Sequence, residues 1–262
     1  MSRPASGPRI DALDERAFRD ALRALPAGQG RLERGLQRSF RLGFRLVAWR
    51  LEVDLTAVSR DGPPGAGCII ATAPHRAWVE PFLLFVAWPA TGARLVWLAD
   101  GRTITRSWWR RRLLPRLGVL PISGRPGAVA GYAELAREVL ERGMALVVFP
   151  EVGPPSPPDR TRRMSAGVAY LALGAGVPIV PVVVAGTHHI VRGSSFEVAA
   201  LPPIEPGAPA TDLRALATRD RARALAHRLQ AAIETELRSR NERTDARRPG
   251  RDRWRWLGTL FS

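Results

Sequence analysis

A histidine and a carboxylate stand five residues apart, at 75 and 80, in the stretch IIATAPHRAWVEPF (69–82). The run before Pro74 is apolar and strand-like, and Pro74 pushes Ala73 toward extended geometry, so His75 is expected in a turn just past a strand. An imidazole followed by a carboxylate is a base with its orienter. The carboxylate holds one ring N–H, and the other nitrogen is left to take a proton from a hydroxyl. On one continuous helix, positions five apart diverge by about 140°, so the two groups meet only if His75 precedes the helix that carries Glu80. Two more polar groups follow apolar runs: Arg125 after GVLPISG (118–124), and Glu151 after Phe149-Pro150 in VVFPEVG (147–153). Strand ends of this kind are where α/β sheets gather their ligands. His188 and His189, in GTHHI, would point to opposite sides of an extended segment with no third ligand to complete a metal site. They are expected to be solvated or satisfied in the core, and His227 to be a structural or surface residue of a helix.

The elements that must position these groups alternate. Strands are expected near 51–58, 67–72, 93–99, 118–122, 144–149 and 178–185, and helices near 77–88, 103–116, 127–142, 164–175 and 211–239. The helix 127–142 stops at Gly143 and turns Val129, Tyr132, Ala136 and Val139 to one side. Strands separated by helices require crossover connections. The expected fold is therefore a single α/β domain with a largely parallel or mixed central sheet flanked by helices. Pro181 lacks a ladder donor, which suggests an edge strand or a bulge at 178–185.

The chain divides into a loosely ordered N-terminus (1–30), an amphipathic helix (31–51), the main domain (52–239) and a basic tail (240–262). The 31–51 helix has six arginines and one glutamate. Leu36, Phe40, Phe44, Val47 and Leu51 fall within about 80° of arc, with Arg38, Arg41 and Arg45 opposite. It reads either as a capping helix with a solvated arginine face or as a helix lying on anionic lipid. The tail, expected to be mobile over 240–253, ends in RWRWLGTLFS, where alternating Trp and Arg suit a headgroup layer or a segment that packs back on the domain.

Composition narrows the function. The 262 residues are 45% hydrophobic, enough for a real core, and the net charge of +16 comes from arginine alone, with no lysine. That charge favours anionic partners: phospholipid surfaces, nucleic acid or phosphate-bearing substrates. No helix-turn-helix, zinc-finger or RRM signature supports nucleic acid, which is not expected as a partner. The single cysteine, Cys68 in GCII, excludes a disulfide framework and a cysteine zinc site and reads as a buried structural thiol. No G-x-S-x-G, Walker or complete G-x-G-x-x-G motif is present. No secretory leader is expected, and the longest apolar runs are too short to span a bilayer.

Taken in order, His75–Glu80, GVLPISGR (118–125), FPEVG (149–153) and VPIVPV (177–182) resemble the four motif blocks of the glycerol-phosphate and lysophospholipid acyltransferase family, typified by 1-acylglycerol-3-phosphate acyltransferases, over about residues 50–190. The resemblance implies acyl transfer from an acyl-CoA or acyl-carrier-protein thioester to a lysolipid hydroxyl, with no cofactor and no metal. It makes His75 the general base, puts Glu80 in place of the family's aspartate, and assigns Arg125, Glu151, Gly153 and Arg76 to substrate binding, Arg125 pairing with a phosphate. It also implies a peripheral protein at the cytoplasmic face of an anionic membrane. The third block departs from the family pattern: Val152-Gly153-Pro154 replaces Gly-Thr-Arg, and Met164-Ser165-Ala166-Gly167 lacks the usual lysine. Arg160, Arg162 or Arg163 would then supply the acceptor's phosphate contact, or the acceptor differs. The alternative is a catalytically inactive, acyltransferase-like lipid-binding protein.

Overall fold

The computed structural model describes residues 22–23, 25–47, 49–58, 65–76, 79–100, 107–122, 128–152, 157–188, 190–207 and 218–247. Along the chain these form α1 (Arg31–Leu46), β1 (Arg50–Asp54), β2 (Ile69–Ala73), α2 (Val79–Ala87), β3 (Leu95–Asp100), α3 (Trp108–Leu113), β4 (Val119–Ile122) and α4 (Ala128–Glu141). After them come β5 (Ala145–Val148), β6 (Glu151–Val152), β7 (Arg163–Met164), α5 (Gly167–Ala175), β8 (Ile179–Ala185), β9 (Ser195–Ala200) and α6 (Thr218–Ala246).

Seven strands make one sheet in the order β1-β9-β8-β2-β5-β3-β4, and β6 and β7 form a separate ribbon. Every pairing in the large sheet is parallel except β8 with β9. Both faces are covered, as a parallel sheet requires. Ile69, Ala71 and Ala73 of β2 enter a core with Val139 of α4, Ala169 of α5 and Leu229 of α6. Ile70 turns to the other core, with Phe44 of α1 and Leu83 of α2. All of β2 is buried, which is why its sequence is an unbroken apolar run.

Several expectations are corrected. Pro181 lies on neither an edge nor a bulge: β8 is interior, between β9 and β2. The sheet tolerates it because β9 pairs only with Val182–Ala185. The Pro181 carbonyl still accepts the Leu201 N–H at 2.8 Å on that side, so the missing donor falls just past the end of the ladder. The first strand ends at Asp54, whose Oδ1 accepts the Thr56 N–H at 3.3 Å and the Thr56 hydroxyl at 2.8 Å, turning the chain into a 3₁₀ segment. Residues 240–246 belong to α6 and not to a mobile tail. Glu197 of β9 is buried, and Arg240 (3.1 Å), Arg243 (3.0 Å) and Arg247 (3.5 Å) converge on its carboxylate from one stripe of the helix and the residue just past its end. On α1, Arg41 is not simply solvated: its Nε and Nη2 donate to the Val86 carbonyl at the end of α2, at 3.1 and 2.8 Å. The buried Glu33–Arg94 pair fixes the other end of α1. Residues 1–21, Arg125, Gly153, His189 and the Trp/Arg segment 254–262 lie outside the described residues. Among the described residues no helix is long and apolar enough to cross a membrane.

Candidate active site

β2 lies between β8 and β5, parallel to both, so the three strands end on the same edge of the sheet. His75 lies two residues beyond β2, after a cis Ala73–Pro74 peptide, and α2 begins at Val79. The base therefore precedes the helix and Glu80 rides on its first turn, as the five-residue spacing demands. His75 Nδ1 is 3.9 Å from Glu80 Oε2, within ion-pair range though longer than a hydrogen bond. The His75 side chain is 42% exposed and that of Glu80 0%. The imidazole thus faces solvent while the carboxylate behind it is dry. Phe149, at the end of the strand beside β2, lies against the imidazole at 4.3 Å between ring centroids, inclined by 33°. Trp97 stacks on Phe149 in turn, at 6.4 Å and 16°. The ring is held on one side by an aromatic column and on the other by a buried anion.

Glu151 joins this site through the backbone. One carboxylate oxygen accepts the His75 main-chain N–H, and the other accepts the Arg162 N–H at 2.8 Å. It therefore ties the histidine turn to the returning strand β7, whose pairing places Glu151 opposite Met164. Arg76 is also engaged: its Nη2 donates to the carbonyls of Pro157 (2.7 Å), Pro158 (3.3 Å) and Arg160 (2.7 Å). Burial pulls the Arg76 pKa below its ordinary value. The carboxylates of Glu151 and Glu80 oppose that shift, and the positive charge of Arg162 adds to it. Arg160 and Arg162 both meet the histidine turn through the backbone, the Arg160 carbonyl on Arg76 and the Arg162 N–H on Glu151.

Nothing in the linear pattern marks what supports this loop. Gln230, Glu234 and Asn241 lie within about 40° of one another on α6. Gln230 accepts the Met164 N–H at 3.3 Å, and Glu234 accepts the Thr161 N–H at 3.3 Å and its hydroxyl at 2.9 Å. Asn241 donates to the Pro158 carbonyl at 2.8 Å and accepts the Gly186 N–H at 3.0 Å. Phe149 was visible only as part of a motif, and its contact with the imidazole depends on the β2–β5 pairing. Arg163 and His227 face a cleft of ≈450 Å³ between the β6–β7 ribbon and α6, with Val152, Met164, Arg223 and Gln230. His188 pairs with Asp245 of α6 at 3.2 Å. Among the described residues no three His, Cys, Asp or Glu side chains are grouped to hold a metal ion.

This arrangement can activate a hydroxyl: an accessible base, a buried anion behind it, and a braced turn that fixes its direction. The Acyltransferase family model matches residues 55–185, half of the chain. The 1-acyl-sn-glycerol-3-phosphate acyltransferase of Cocos nucifera is 36% identical over 75 residues, 29% of this chain and 24% of that protein. The one from Limnanthes alba is 35% identical over 75 residues, 29% of this chain and 26% of that protein. The match thus spans about a quarter of these curated relatives. Among solved structures, the fold resembles the 1-acyl-sn-glycerophosphate acyltransferase PlsC of Thermotoga maritima, with a TM-score of 0.54, 17% identity and 79% of each chain covered. The histidine turn, the three adjacent strand ends and the family match lie in one stretch of sequence, and by that match the chain belongs to the Acyltransferase family.

Proposed function

We propose that this protein is an O-acyltransferase that moves a fatty acyl group from an acyl-CoA or acyl-carrier-protein thioester to a hydroxyl of a lysophospholipid or related glycerolipid. The observation that carries the reading is the solvent-facing His75 ring backed by the fully buried Glu80 carboxylate. The far ring nitrogen, Nε2, takes the acceptor's proton as its oxygen bonds to the thioester carbonyl carbon. The Nδ1–H faces Glu80, which stabilises the imidazolium. Collapse of the tetrahedral intermediate breaks the C–S bond, and the departing sulfur recovers the proton from His75, leaving an ester and a free thiol. A thioester is already activated, so no covalent enzyme intermediate is required, and rate comes from placing alcohol and carbonyl together.

Glu151 and Arg76 act in this reading by bracing the histidine turn and the 157–162 loop around the acceptor. Arg162 takes the phosphate contact that the altered third block lacks, a role suited to its planar fork, with Arg125 as a second cation and Gly153 leaving room for the headgroup. The acceptor is presented at the anionic cytoplasmic face of a membrane, where the segment 254–262 adds a Trp/Arg contact. The exposed Val152, where the family has glycine, is the observation that favours the alternative, an inactive lipid-binding relative. Mass spectrometry of lipids made by the purified protein from acyl-CoA or acyl-carrier protein and a panel of lysolipids decides between them. A new diacyl product that vanishes in His75→Ala supports the enzyme. Tight lysolipid binding with no product from either donor supports the binding protein.

A further inference from the structure

α1 and α2 cover one face of the sheet, and the right-handed rule for parallel crossovers puts α3, between the paired strands β3 and β4, on the same side. Phe82 of α2 packs edge-on against Phe40 of α1 at 4.4 Å. Leu117, just after α3, and Phe85 of α2 share a small gap with Gln29, Glu33 and Gln37. Across residues 31–47, 79–90 and 107–117 the only carboxylates are Glu33 and Glu80, both buried. Among the described residues of these three segments the outside therefore carries cations, among them Arg38, Arg45 and Arg112, and no exposed carboxylate. Between them stand large apolar side chains open to solvent: Leu42 (58% exposed), Leu46 (74%), Trp108 (74%) and Trp109 (46%). The Arg110 guanidinium lies over the Trp109 ring at 5.2 Å. The opposite layer differs, with three carboxylates in α4 and five in α6. Arginine-rich composition alone does not produce this one-sided surface.

We infer that the α1–α2–α3 layer is the face that docks on an anionic phospholipid surface, with Trp108 and Trp109 seated at headgroup level beside Arg110 and Arg112, and Leu42 and Leu46 entering the acyl boundary. Exposed tryptophans flanked by arginine, on segments whose described carboxylates are both buried, match that layer in both polarity and charge. The inference deepens the proposed function and rests on its lipid acceptor. α2 belongs to this layer and starts at the His75–Glu80 turn, so docking brings the reactive edge beside the lipid.

The test is co-sedimentation of the full chain with vesicles of phosphatidylcholine plus phosphatidylglycerol and of phosphatidylcholine alone. Wild type should prefer the anionic vesicles. Arg110→Gln with Arg112→Gln should weaken binding roughly fivefold per arginine, and Trp108→Ala with Trp109→Ala roughly tenfold or more. Arg228→Gln, on the exposed side of α6, should bind as wild type. Turnover of a short-chain, water-soluble acceptor should be unchanged in all three, and the arginine pair decides the matter if the tryptophan variant does not fold. Wild type that ignores anionic vesicles overturns the docking face, while acyl transfer to detergent-dispersed lysolipid still stands or falls separately. Binding undiminished in both double variants overturns the surface assignment, as does a dimer that only the tryptophan variant loses while vesicle binding persists.

Discussion

His75 and Glu80 are solvated in opposite ways, and that contrast makes them a pair. A carboxylate with no exposed surface, at the head of an otherwise apolar helix, is costly unless opposite charge develops beside it, and a protonated His75 is such a charge. His75→Ala should reduce turnover by about 10²–10⁴-fold with the fold intact and only a small loss of melting temperature, since the ring is part-exposed; steady-state rates and melts on one preparation check both. Glu80→Gln keeps shape and volume but removes the charge. It should lower kcat while leaving the KM for the thioester donor near that of wild type, and parallel losses in both constants would remove Glu80 from the orienting role. Cys68 gives a prediction of the opposite kind. Burial pushes its thiol up to about 12, against an ordinary value of about 8.5. The folded state resists ionisation that the unfolded chain accepts, so this contribution to stability is complete below the ordinary value and is lost progressively as pH rises from there to about 12. Melts should fall more steeply above about pH 9 in wild type than in Cys68→Val, and a thiol reagent at neutral pH should label Cys68 only after unfolding.

At the scale of elements, the strands beside the site were legible and its brace was not. β2, β5 and β8 are buried almost throughout, so their sequences are continuous apolar runs, and His75 and Glu151 follow two of them. α6 carries the loop through Gln230, Glu234 and Asn241, polar residues that look like any solvated helix face until the ribbon packs on them. The Pro181 expectation failed for a related reason: a missing donor matters only where the neighbouring ladder reaches, and β9 stops short of it. Asn241 offers the sharpest test of the brace, because it joins the Gly186 N–H to the Pro158 carbonyl. Asn241→Leu strands the buried Gly186 N–H, at a cost of about 1–3 kcal/mol, while the exposed Pro158 carbonyl keeps Arg76 as a donor. Denaturant unfolding should show a loss in that range. The variant should also raise the KM for the acceptor more than that for the donor, since the freed 157–162 loop is the one placed at the acceptor. A stability loss with both KM values unchanged would limit Asn241 to holding α6.

At the scale of the molecule, the adjacent parallel strands β2 and β5 put the first and third sequence blocks on one edge and the fourth lies inside β8 alongside β2, while β4, which leads to Arg125, stands three strand spacings from β2, about 14 Å. A linear reading could give the blocks and their order but not that spacing, nor the length of α6. The last turns of that helix are tied to a residue in a distant strand. Glu197 looks like the polar member of an alternating edge strand, yet β9 is interior and its carboxylate is dry, so the cations must come from elsewhere. Arg240, Arg243 and Arg247 supply them, and the hydrogen bond to Glu197 raises the Arg243 pKa further. This cluster links β9 to α6, α6 to the 157–162 loop through Asn241, and that loop to the His75 turn through Arg76 and Glu151. Glu197→Ala should therefore act at a distance. Hydrogen exchange should quicken over 240–246, and stability should fall by about 3 kcal/mol, the lower end for breaking a buried ion pair, because Arg243 and Arg247 are half-exposed and recover solvent. Turnover should fall as well, although Glu197 lies on a different strand from every reacting group. Adding Arg240→Leu to Glu197→Leu should restore much of the stability, because an apolar pair of similar volume needs no counter-ion. If exchange over 240–246 stays at the wild-type rate in Glu197→Ala, the helix end is held by its own contacts and the route from sheet to histidine turn does not run through this cluster.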